Sequence, residues 1–230
     1  MSRKITKAVV LLSGGLDSTT LLHFVRKKLG CRAIYALTFN YGQKHFDREV
    51  RCARWQVRHL AVREHLVVDL SFFAGFIGRS SSLTSRFNPV PDYAAIRPEE
   101  LDQPPTYVPN RNMILLALAC AHAEALRAGR VFYAAQKQDY YGYWDCSAEF
   151  VRDMNRVLKL NRRNPVALHA PFTGFSKGEV VATGLKLGVN YARTWSCYRG
   201  NLKPCGRCPS CVERLAAFKA NGAKDPLNGC

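Results

Sequence analysis

The sequence predicts an α/β fold in which a Rossmann-like, doubly wound parallel sheet carries a small cysteine-rich appendage near its C-terminal end. Three observations lead to this prediction. An apolar run at residues 8–12 ends in a glycine pair, short apolar runs then alternate with amphipathic helical patterns, and four cysteines crowd into residues 197–211. Strands that alternate with amphipathic helices form parallel sheets that helices cover on both faces.

The first part of the chain repeats a strand and a helix. Residues 8–12 are continuously apolar, as in a buried parallel strand, and Gly30 supplies the stop for the helix that follows. Apolar positions between Phe46 and Leu60 share one helical face. In chain order the expected elements are a strand at 8–12, a helix at 18–29, a strand at 33–41, a helix at 46–60 and a strand at 65–70.

Residues 71–106 interrupt this alternation. They contain many serines and five prolines without a sustained period, so they form either an ordered insertion over the site or a mobile lid. The regular pattern then returns, with a helix at 111–126, a strand at 131–135, a helix at 148–160 and a further helix that opens at a capping box, Ser176–Glu179. No linker separates two full domains, and we expect residues 1–194 to form the main domain and 195–230 a segment packed on it.

Composition and charge limit the class of protein. The chain has 230 residues, of which 47% are hydrophobic, enough for one substantial core. No run of about 18 apolar residues and no signal-peptide cleavage pattern is present, so we expect a cytoplasmic protein without a membrane partner. The net charge of +17 raises the question of a polyanionic partner such as RNA, but the basic residues are spread along the chain and fit a solvated surface equally well.

A glycine loop joins the first predicted strand to the first predicted helix. Backbone N–H groups and the helix dipole converge there on an anion. Gly14 and Gly15 let the backbone approach phosphate oxygens closely, and the hydroxyls of Ser13 and Ser18 can donate further hydrogen bonds. Neither the Walker pattern nor the dinucleotide fingerprint is present. The alternative is a plain strand-to-helix turn in which Asp17 or Ser18 caps the helix.

The four clustered cysteines predict a metal site. Cys197 precedes two overlapping CxxC steps formed by Cys205, Cys208 and Cys211, and four thiolates can close a tetrahedron around Zn²⁺. An iron–sulfur cluster and a redox-active cysteine pair compete with this interpretation, and the spacing excludes neither. We favour zinc because a compact cysteine knot near the end of a chain suits a structural ion.

The motifs together resemble one family. The SGGLDS pattern at 13–18 resembles the PP-loop of ATP pyrophosphatases, whose fold is of the adenine nucleotide alpha hydrolase type. Together with the cysteines, the segments 39–43 (FNYGQ), 108–112 (VPNRN), 141–146 (YGYWDC) and 177–179 resemble the 7-cyano-7-deazaguanine synthase family, the PP-loop enzymes of queuosine-precursor synthesis. This resemblance covers nearly the whole chain.

The resemblance implies a reaction, its cofactors and an assembly. ATP would drive conversion of 7-carboxy-7-deazaguanine and ammonia to the nitrile, through an adenylated carboxylate, an amide and a second adenylation. It also implies Mg²⁺ with the nucleotide, Zn²⁺ at the cysteines and a homodimer.

The resemblance also assigns residues. The implied catalytic residues are Ser13, Asp17, Ser18, Arg111 and Lys177. The implied nucleotide-binding residues are Leu12, Ser13, Gly14, Gly15, Leu16, Asp17, Ser18, Thr19, Thr20, Leu21 and Leu22. The implied substrate-binding residues are Tyr41, Gln43, Arg111, Asn112, Tyr143 and Asp145. The aromatic loop at 140–146 would stack a flat deazapurine, although such aromatics more often fill a core.

The chain departs from the family pattern at three places. Asn110 replaces a glycine, a mild change because asparagine tolerates a positive φ. Ser147 stands where an arginine is usual, which alters how a substrate carboxylate is held. Residues 136–138 (QKQ), which precede Asp139, are unusual at this place in the family pattern. The predicted nucleotide-binding segments therefore match the family pattern better than the predicted substrate-binding segments do.

Two other functions are weighed against the leading hypothesis. A PP-loop enzyme that adenylates RNA or protein, such as a tRNA-modifying or deazaguanine-attaching homologue, would use the basic surface to bind a macromolecule. A non-catalytic, zinc-stabilised RNA-binding protein would explain the charge and the cysteines but leaves the complete glycine loop without a purpose.

Overall fold

The computed structural model describes residues 5–137 and 142–227, and a parallel sheet forms the centre of this part of the chain. Five strands pair in the order β3-β2-β1-β4-β5. Their bounds are β1 Lys7–Leu11, β2 Ala33–Asn40, β3 Glu64–Asp69, β4 Arg130–Phe132 and β5 Ala167–His169. Every pairing is parallel, which confirms the predicted fold class.

Strand β1 occupies the middle of the sheet. Lys7 pairs with Ala33 of β2 at the start of the strand, while Val9 pairs with Val131 of β4 on the other side. The chain therefore winds outward from β1 in one direction and then in the other. The gap between the carboxyl ends of β1 and β4 is the point where the winding reverses, which is where open α/β sheets bind their ligands.

Seven α-helices are described in these ranges. Their bounds are α1 Leu16–His23, α2 Phe46–His59, α3 Phe72–Ile77, α4 Arg111–Ala125, α5 Ala148–Leu158, α6 Lys177–Lys186 and α7 Pro209–Ala220. Helix α1 continues into a π-helical turn at Phe24–Lys28. The predicted capping box opens α6, because the Ser176 hydroxyl accepts from the Glu179 N–H and the Glu179 carboxylate accepts from the Ser176 N–H.

The helices cover both faces of the sheet. Val9 points into a core that α4 and α5 close, while its neighbours Ala8 and Val10 point into a core that α1, α6 and α7 close. All three residues are fully buried. A strand that is apolar on both faces reads as a continuous apolar run, and this explains why β1 was visible in the sequence.

Three elements were missed by the sequence analysis. Strand β5 and helix α3 are short, and α7 lies inside the cysteine segment, where the ligand pattern hid the helical one. The predicted strand at 131–135 begins one residue earlier and ends at Phe132. Within residues 71–106, the stretch from Ser81 to Ser85 is buried, so this part of the insertion packs as structure.

Within the described ranges, no helix has both the length and the apolar composition needed to cross a bilayer.

Candidate functional site

A pocket of about 230 Å³ opens at the carboxyl ends of β1, β2 and β4. It therefore lies at the reversal point of the sheet, where loops from both halves of the fold converge. Its wall is formed by the glycine loop, by residues 41–49 after β2, by the start of α4, by residues 133–135 after β4 and by parts of the cysteine segment.

Most of the sequence-predicted site residues meet in this pocket. Those that line it are Leu12, Ser13, Gly15, Leu16, Asp17, Ser18, Tyr41, Gln43, Arg111, Asn112, Tyr143 and Lys177. Those that lie outside its lining are Gly14, Thr19, Thr20, Leu21, Leu22 and Asp145. Leu21 and Leu22 are fully buried in the core beneath the loop, and the Thr20 hydroxyl donates to the Leu16 carbonyl.

The glycine loop is held by its own serines. The Ser13 and Ser18 hydroxyls lie 3.0 Å apart, the Gly15 N–H donates to Ser13 Oγ, and the Gly14 N–H donates to Ser18 Oγ. Gly14 has φ +91°, and a Cβ at this position would overlap the carbonyl oxygen of Glu49. The loop therefore requires glycine at position 14 for conformation and for space.

Asp17 does not cap α1. The N-cap position is Gly15, and no side chain caps it. Asp17 instead turns toward Lys177, with 3.7 Å between its Oδ2 and Lys177 Nζ. Its other oxygen, Oδ1, is buried and has no hydrogen-bond partner among the described residues. Burial raises the pKa of Asp17, although the positive charge of Lys177 opposes that effect.

The orphaned carboxylate oxygen fits a cation. A buried carboxylate oxygen without a donor is costly unless an ion or a ligand satisfies it. Mg²⁺ is bound in proteins through one or two carboxylates together with substrate phosphates. Asp17 lies beside the glycine loop, so its Oδ1 is a suitable ligand for a magnesium ion that accompanies a nucleotide.

Lys177 lies between two carboxylates. Its Nζ is 2.6 Å from Glu213 Oε2 as well as 3.7 Å from Asp17 Oδ2. Glu213 belongs to α7, in the cysteine segment, and the sequence analysis did not single it out. Glu213 follows Cys211 by two residues, but no sequence pattern connects it to Lys177. The packing of α6 against α7 brings the two side chains together.

Arg111 opens α4 at the pocket wall. The preceding Asn110 has φ +52°, so asparagine does adopt the left-handed conformation that the sequence analysis expected it to tolerate. The Arg111 guanidinium donates to the Tyr41 hydroxyl at 3.3 Å and lies 5.6 Å and 6.0 Å from the ring centres of Tyr41 and Tyr143. Burial opposes its charge, but neighbours including Tyr41 and Asp145 raise the pKa of Arg111 overall. It is therefore a permanent cation.

Asp145 is placed behind the pocket wall. Its carboxylate accepts from the backbone N–H of Asn112 at 3.1 Å and from the Asn112 amide at 3.2 Å, within the first turn of α4. The same amide contacts Cys146 Sγ at 3.2 Å. Burial raises the pKa of Asp145, and the charge of Arg111 opposes this rise. In this structure the carboxylate stabilises the N-terminus of α4.

Tyr143, from the predicted aromatic loop, lines the pocket. Its hydroxyl lies 2.8 Å from the Thr106 hydroxyl, and Trp144 turns away to donate to Tyr107. Tyr140 and Tyr141 lie outside the described residues, as do Gln138 and Asp139. Ser147, at the departure from the family pattern, is the N-cap of α5 and accepts from the Phe150 N–H.

The segment after β2 contributes Gln43, which the sequence analysis assigned to the site, and His45 and Glu49, which it missed. Gln43 is buried, accepts from the Tyr41 N–H and donates to the Phe39 carbonyl and to Glu49. His45 and Glu49 also line the pocket, and both are buried. The signal available in the sequence was that His45 and Glu49 lie one helical turn apart, just after FNYGQ. Polar residues at the start of an amphipathic helix usually face solvent, so this spacing did not identify them.

The four cysteines converge as predicted. Their Sγ atoms all lie within 4.8 Å of one another, and Cys205 Sγ is 4.0 Å from Cys211 Sγ. A tetrahedral zinc site has Zn–S bonds of about 2.3 Å, which sets the sulfur atoms roughly 3.8 Å apart. The backbone N–H groups of Cys205 and Cys208 donate to Cys197 Sγ and Cys205 Sγ. The arrangement fits one metal ion with no open ligand position.

The cysteine segment is tied to the glycine loop. The Trp195 backbone N–H donates to the Gly14 carbonyl, and its indole N–H donates to the Cys197 carbonyl. Arg214 is buried and binds both oxygens of Asp225 as well as the Thr194 hydroxyl. The cysteine cluster, α7 and the pocket wall therefore form one continuous packed unit.

Comparison with known proteins identifies relatives along nearly the whole chain. Residues 7–222 match the family model described as "Queuosine biosynthesis protein QueC". A protein of Marinobacter nauticus named 7-cyano-7-deazaguanine synthase is 47% identical over 219 residues, which cover 95% of each chain. Its namesake in Archaeoglobus fulgidus is 45% identical over 222 residues, covering 96% of this chain and 89% of the relative.

Solved structures share the fold at low identity. A U34-tRNA thiolase of Methanococcus maripaludis, NcsA, superposes with a TM-score of 0.52 at 13% identity, covering 94% of this chain and 65% of that one. An NMN synthetase of Francisella tularensis superposes with a TM-score of 0.50 at 14% identity, covering 96% and 79%. These likenesses support the α/β architecture and nothing finer.

Proposed function

The chain belongs to the QueC family of queuosine biosynthesis proteins, and from that membership we propose that it uses ATP to convert 7-carboxy-7-deazaguanine and ammonia into 7-cyano-7-deazaguanine. The observation that carries the proposal is the 47% identity to a synthase of that name over 95% of both chains. The pocket supports it, because the glycine loop and Arg111 line one cavity, where they would hold the polyphosphate of ATP and the substrate carboxylate.

The glycine loop would bind the polyphosphate of ATP. Its N–H groups lie at the start of α1, where the helix dipole favours an anion. The hydroxyls of Ser13 and Ser18 now hydrogen-bond each other, and both can turn to donate to phosphate oxygens. In this role Leu21 and Leu22 support the loop from the core and do not contact the nucleotide.

Arg111 and Lys177 would offset the charge that develops during adenylation. The substrate carboxylate attacks the α-phosphate of ATP, and pyrophosphate leaves, so negative charge accumulates on the phosphate oxygens. Preorganised cations in a pocket that excludes water stabilise such a transition state. Arg111 has no carboxylate partner within 4.0 Å among the described residues. Its Nε and Nη1 donate to neutral acceptors, the Asn112 amide oxygen and the Tyr41 hydroxyl, so its charge would be available to an anionic substrate.

Asp17 would hold Mg²⁺ beside the loop. When bound, this ion supplies charge neutralisation on the leaving phosphates. The buried, unpartnered Oδ1 of Asp17 supports the assignment. Lys177 then keeps the other carboxylate oxygen in place.

Tyr41, Gln43, Asn112 and Tyr143 are proposed to shape the deazapurine subsite. Tyr41 and Tyr143 flank the Arg111 guanidinium and offer flat ring faces to a flat ring system. Gln43 and Asn112 are engaged in internal hydrogen bonds, so their role would be to position this wall. Asp145 would contribute indirectly, because it anchors Asn112.

We propose that the cysteines bind Zn²⁺ as a structural ion. This ion would stabilise the fold of residues 195–230, which pack on the main domain. All four ligands come from this chain, and the ion would leave no position for a substrate. The ion's contribution is to hold the start of α7 and therefore Glu213 near Lys177.

A small-molecule substrate is favoured over RNA or protein. The relatives that match nearly the whole chain at 47% and 45% identity are both named 7-cyano-7-deazaguanine synthase, after a small-molecule product. We also propose, from the family resemblance, a cytoplasmic homodimer. Phe72 and Phe76 are 71% and 83% exposed on α3 and provide an apolar surface for a second copy. Size-exclusion chromatography with light scattering measures the assembly directly.

The proposed reaction is tested by incubating the protein with ATP, Mg²⁺, ammonium and 7-carboxy-7-deazaguanine and following the products by mass spectrometry. We expect the nitrile together with AMP and pyrophosphate. Asp17→Ala should abolish them, while Asp47→Ala, at an exposed position in the first turn of α2, should not. AMP that forms only after RNA or protein is added would overturn the proposal.

A further inference from the structure

A second carboxylate besides Asp17 lines the pocket. Glu49 is 8% exposed and lies one turn into α2. Its backbone carbonyl packs against Gly14, and Glu49 lines the same pocket as the glycine loop. A carboxylate at the wall of a pocket for ATP and a second anion repels both substrates, unless a cation or another hydrogen-bond donor comes between them.

The described neighbours of Glu49 supply no permanent cation. Its Oε2 accepts from the Gln43 amide at 3.2 Å and lies 3.6 Å from His45 Nε2. Among the described residues, no lysine or arginine lies within 4.0 Å of its carboxylate, whereas Asp17 is paired with Lys177. Among the described residues, His45 is therefore the only basic side chain with a nitrogen within 4.0 Å of the Glu49 carboxylate.

His45 is oriented to exchange a proton with Glu49. Its Nδ1 lies 3.2 Å from the Tyr198 carbonyl oxygen, which can only accept, so Nδ1 carries the hydrogen. In the neutral ring, Nε2 is then the free base, and it points toward the Glu49 carboxylate. His45 is 3% exposed, so packing holds the ring in this orientation.

We propose that Glu49 and His45 form the ammonium site of the enzyme, in which Glu49 binds the ammonium ion and the pair accepts the protons released when it reacts. This inference deepens the proposed function and rests on it. Ammonia is present near neutral pH almost entirely as ammonium, which cannot act as a nucleophile until it loses a proton.

The proposed step balances in atoms and charge. One proton passes from ammonium to the Glu49 carboxylate and on to His45 Nε2, which frees the nitrogen lone pair. That pair attacks the acyl carbon of the adenylated carboxylate, and the bond from this carbon to the phosphate oxygen breaks as AMP departs. The second proton passes from the attacking nitrogen to Glu49. The products are the amide, AMP and a doubly protonated pair.

A different role for Glu49 makes a different prediction. A carboxylate in this pocket can also accept hydrogen bonds from the N–H edge of a purine-like ring. In that case its loss would weaken binding of the deazapurine and slow the first adenylation. If it acts on ammonium, the first adenylation proceeds before Glu49 is needed.

The experiment separates the two half-reactions. Exchange of labelled pyrophosphate into ATP, dependent on the deazapurine carboxylate and without ammonium, reports adenylation alone. In Glu49→Gln, which keeps an acceptor for the Gln43 amide, we expect exchange within about twofold of the unchanged protein. We expect kcat/KM for ammonium to fall roughly 100-fold, the size of a general-base contribution. Asp47→Asn, at an exposed position in the same turn of α2, is the matched control.

Hydroxylamine supplies a readout that a structural defect would not move. It is uncharged near neutral pH, so it needs no cation site and has to lose one proton rather than two. Glu49→Gln and His45→Gln should therefore lose much less kcat/KM with hydroxylamine than with ammonium. Equal losses with ammonium and hydroxylamine, or a loss of exchange in a variant with an unchanged melting temperature, would overturn the ammonium assignment. Absence of exchange in the unchanged protein would instead overturn the proposed function.

Discussion

Asp17 is a residue at which stability and function oppose each other. Burial raises the pKa of Asp17, so ionising this carboxyl costs more free energy in the folded chain than in the unfolded chain. Asp17→Asn removes this cost and also removes the proposed magnesium ligand. We expect the melting temperature at pH 8 to rise and adenylation, followed by pyrophosphate exchange, to fall roughly 100-fold or more, as expected when transition-state stabilisation is lost.

The sign of this effect depends on pH. An unfolded aspartate has a pKa of about 3.9, and because the folded pKa lies higher, the cost appears as the pH rises through this interval. The gain in melting temperature should therefore be larger at pH 8 than at pH 4.5. Asp47→Asn, at an exposed aspartate, should show neither change. A variant that is less stable than the unchanged protein at both pH values would contradict the account of Asp17.

Arg111 tests whether geometry matters in addition to charge. Arg111→Lys keeps one positive charge but loses the planar fork between the rings of Tyr41 and Tyr143. We expect kcat/KM for the deazapurine carboxylate to fall between about 10-fold and 100-fold, equivalent to about 1.4–2.7 kcal/mol. Steady-state kinetics measures this loss. Arg51→Lys, at an exposed position on α2, is the control and should be unchanged.

At the scale of elements, the glycine loop depends on the close approach of α2. A Cβ at Gly14 would overlap the Glu49 carbonyl and also force a side chain to φ +91°. We expect Gly14→Ala to lower the free energy of unfolding by about 3 kcal/mol or more, since strain and overpacking each cost about 1–3 kcal/mol. Urea denaturation measures the difference.

Gly30→Ala provides the matched control for that loop. Gly30 also has a positive φ, of +65°, but a Cβ there would meet nothing within 4 Å. Only the conformational strain remains, so the cost should be about 1–2 kcal/mol. Equal costs at the two positions would show that packing against Glu49 does not matter.

The cysteine site is the second element whose effect reaches the pocket. Metal bound at a concentration of about 1,000 times its Kd contributes about 4 kcal/mol, or roughly 8–16 °C in a chain of this length. We expect Cys208→Ser to lose the metal, to lower the melting temperature by this amount and to slow pyrophosphate exchange. Metal content is measured by mass spectrometry with plasma ionisation, and one zinc per chain is expected before substitution.

A buried thiol elsewhere provides the control for that effect. Cys31 is 1% exposed and lies far along the chain from the metal ligands. Cys31→Ser should cost some stability through burial of a hydroxyl but should leave the metal content unchanged. If Cys208→Ser keeps full pyrophosphate exchange without metal, the cysteine site does not organise the pocket.

At the scale of the whole molecule, the sheet and the glycine loop were predictable because each depends on a local pattern. Residues 8–12 are apolar at every position, and both faces of β1 are covered. The SGGLDS pattern and the CxxC steps occupy short, contiguous segments. By contrast, β5 spans three residues, which is too short for any period to appear.

Contacts between distant segments could not be predicted in the same way. Lys177 was singled out, but its partner Glu213 lies 36 positions later on a helix that the cysteine pattern concealed. Asp145 was predicted from the resemblance to bind substrate, and the sequence held no signal for the hydrogen bonds it accepts from Asn112 at the start of α4. His45 and Glu49 were not singled out in the sequence, and both are buried at the pocket in the folded chain.

The sequence by itself determined the parallel α/β architecture, the glycine loop between β1 and α1, the converging cysteines and, by resemblance, the family. Those features are encoded by periodicity and by spacing within single segments, where neighbours in sequence are neighbours in space. The tertiary structure alone decided which side chains face the pocket and what neutralises each charge there. Those relations depend on how α2, α4, α6 and α7 pack around one edge of the sheet, and packing joins residues that no local pattern connects.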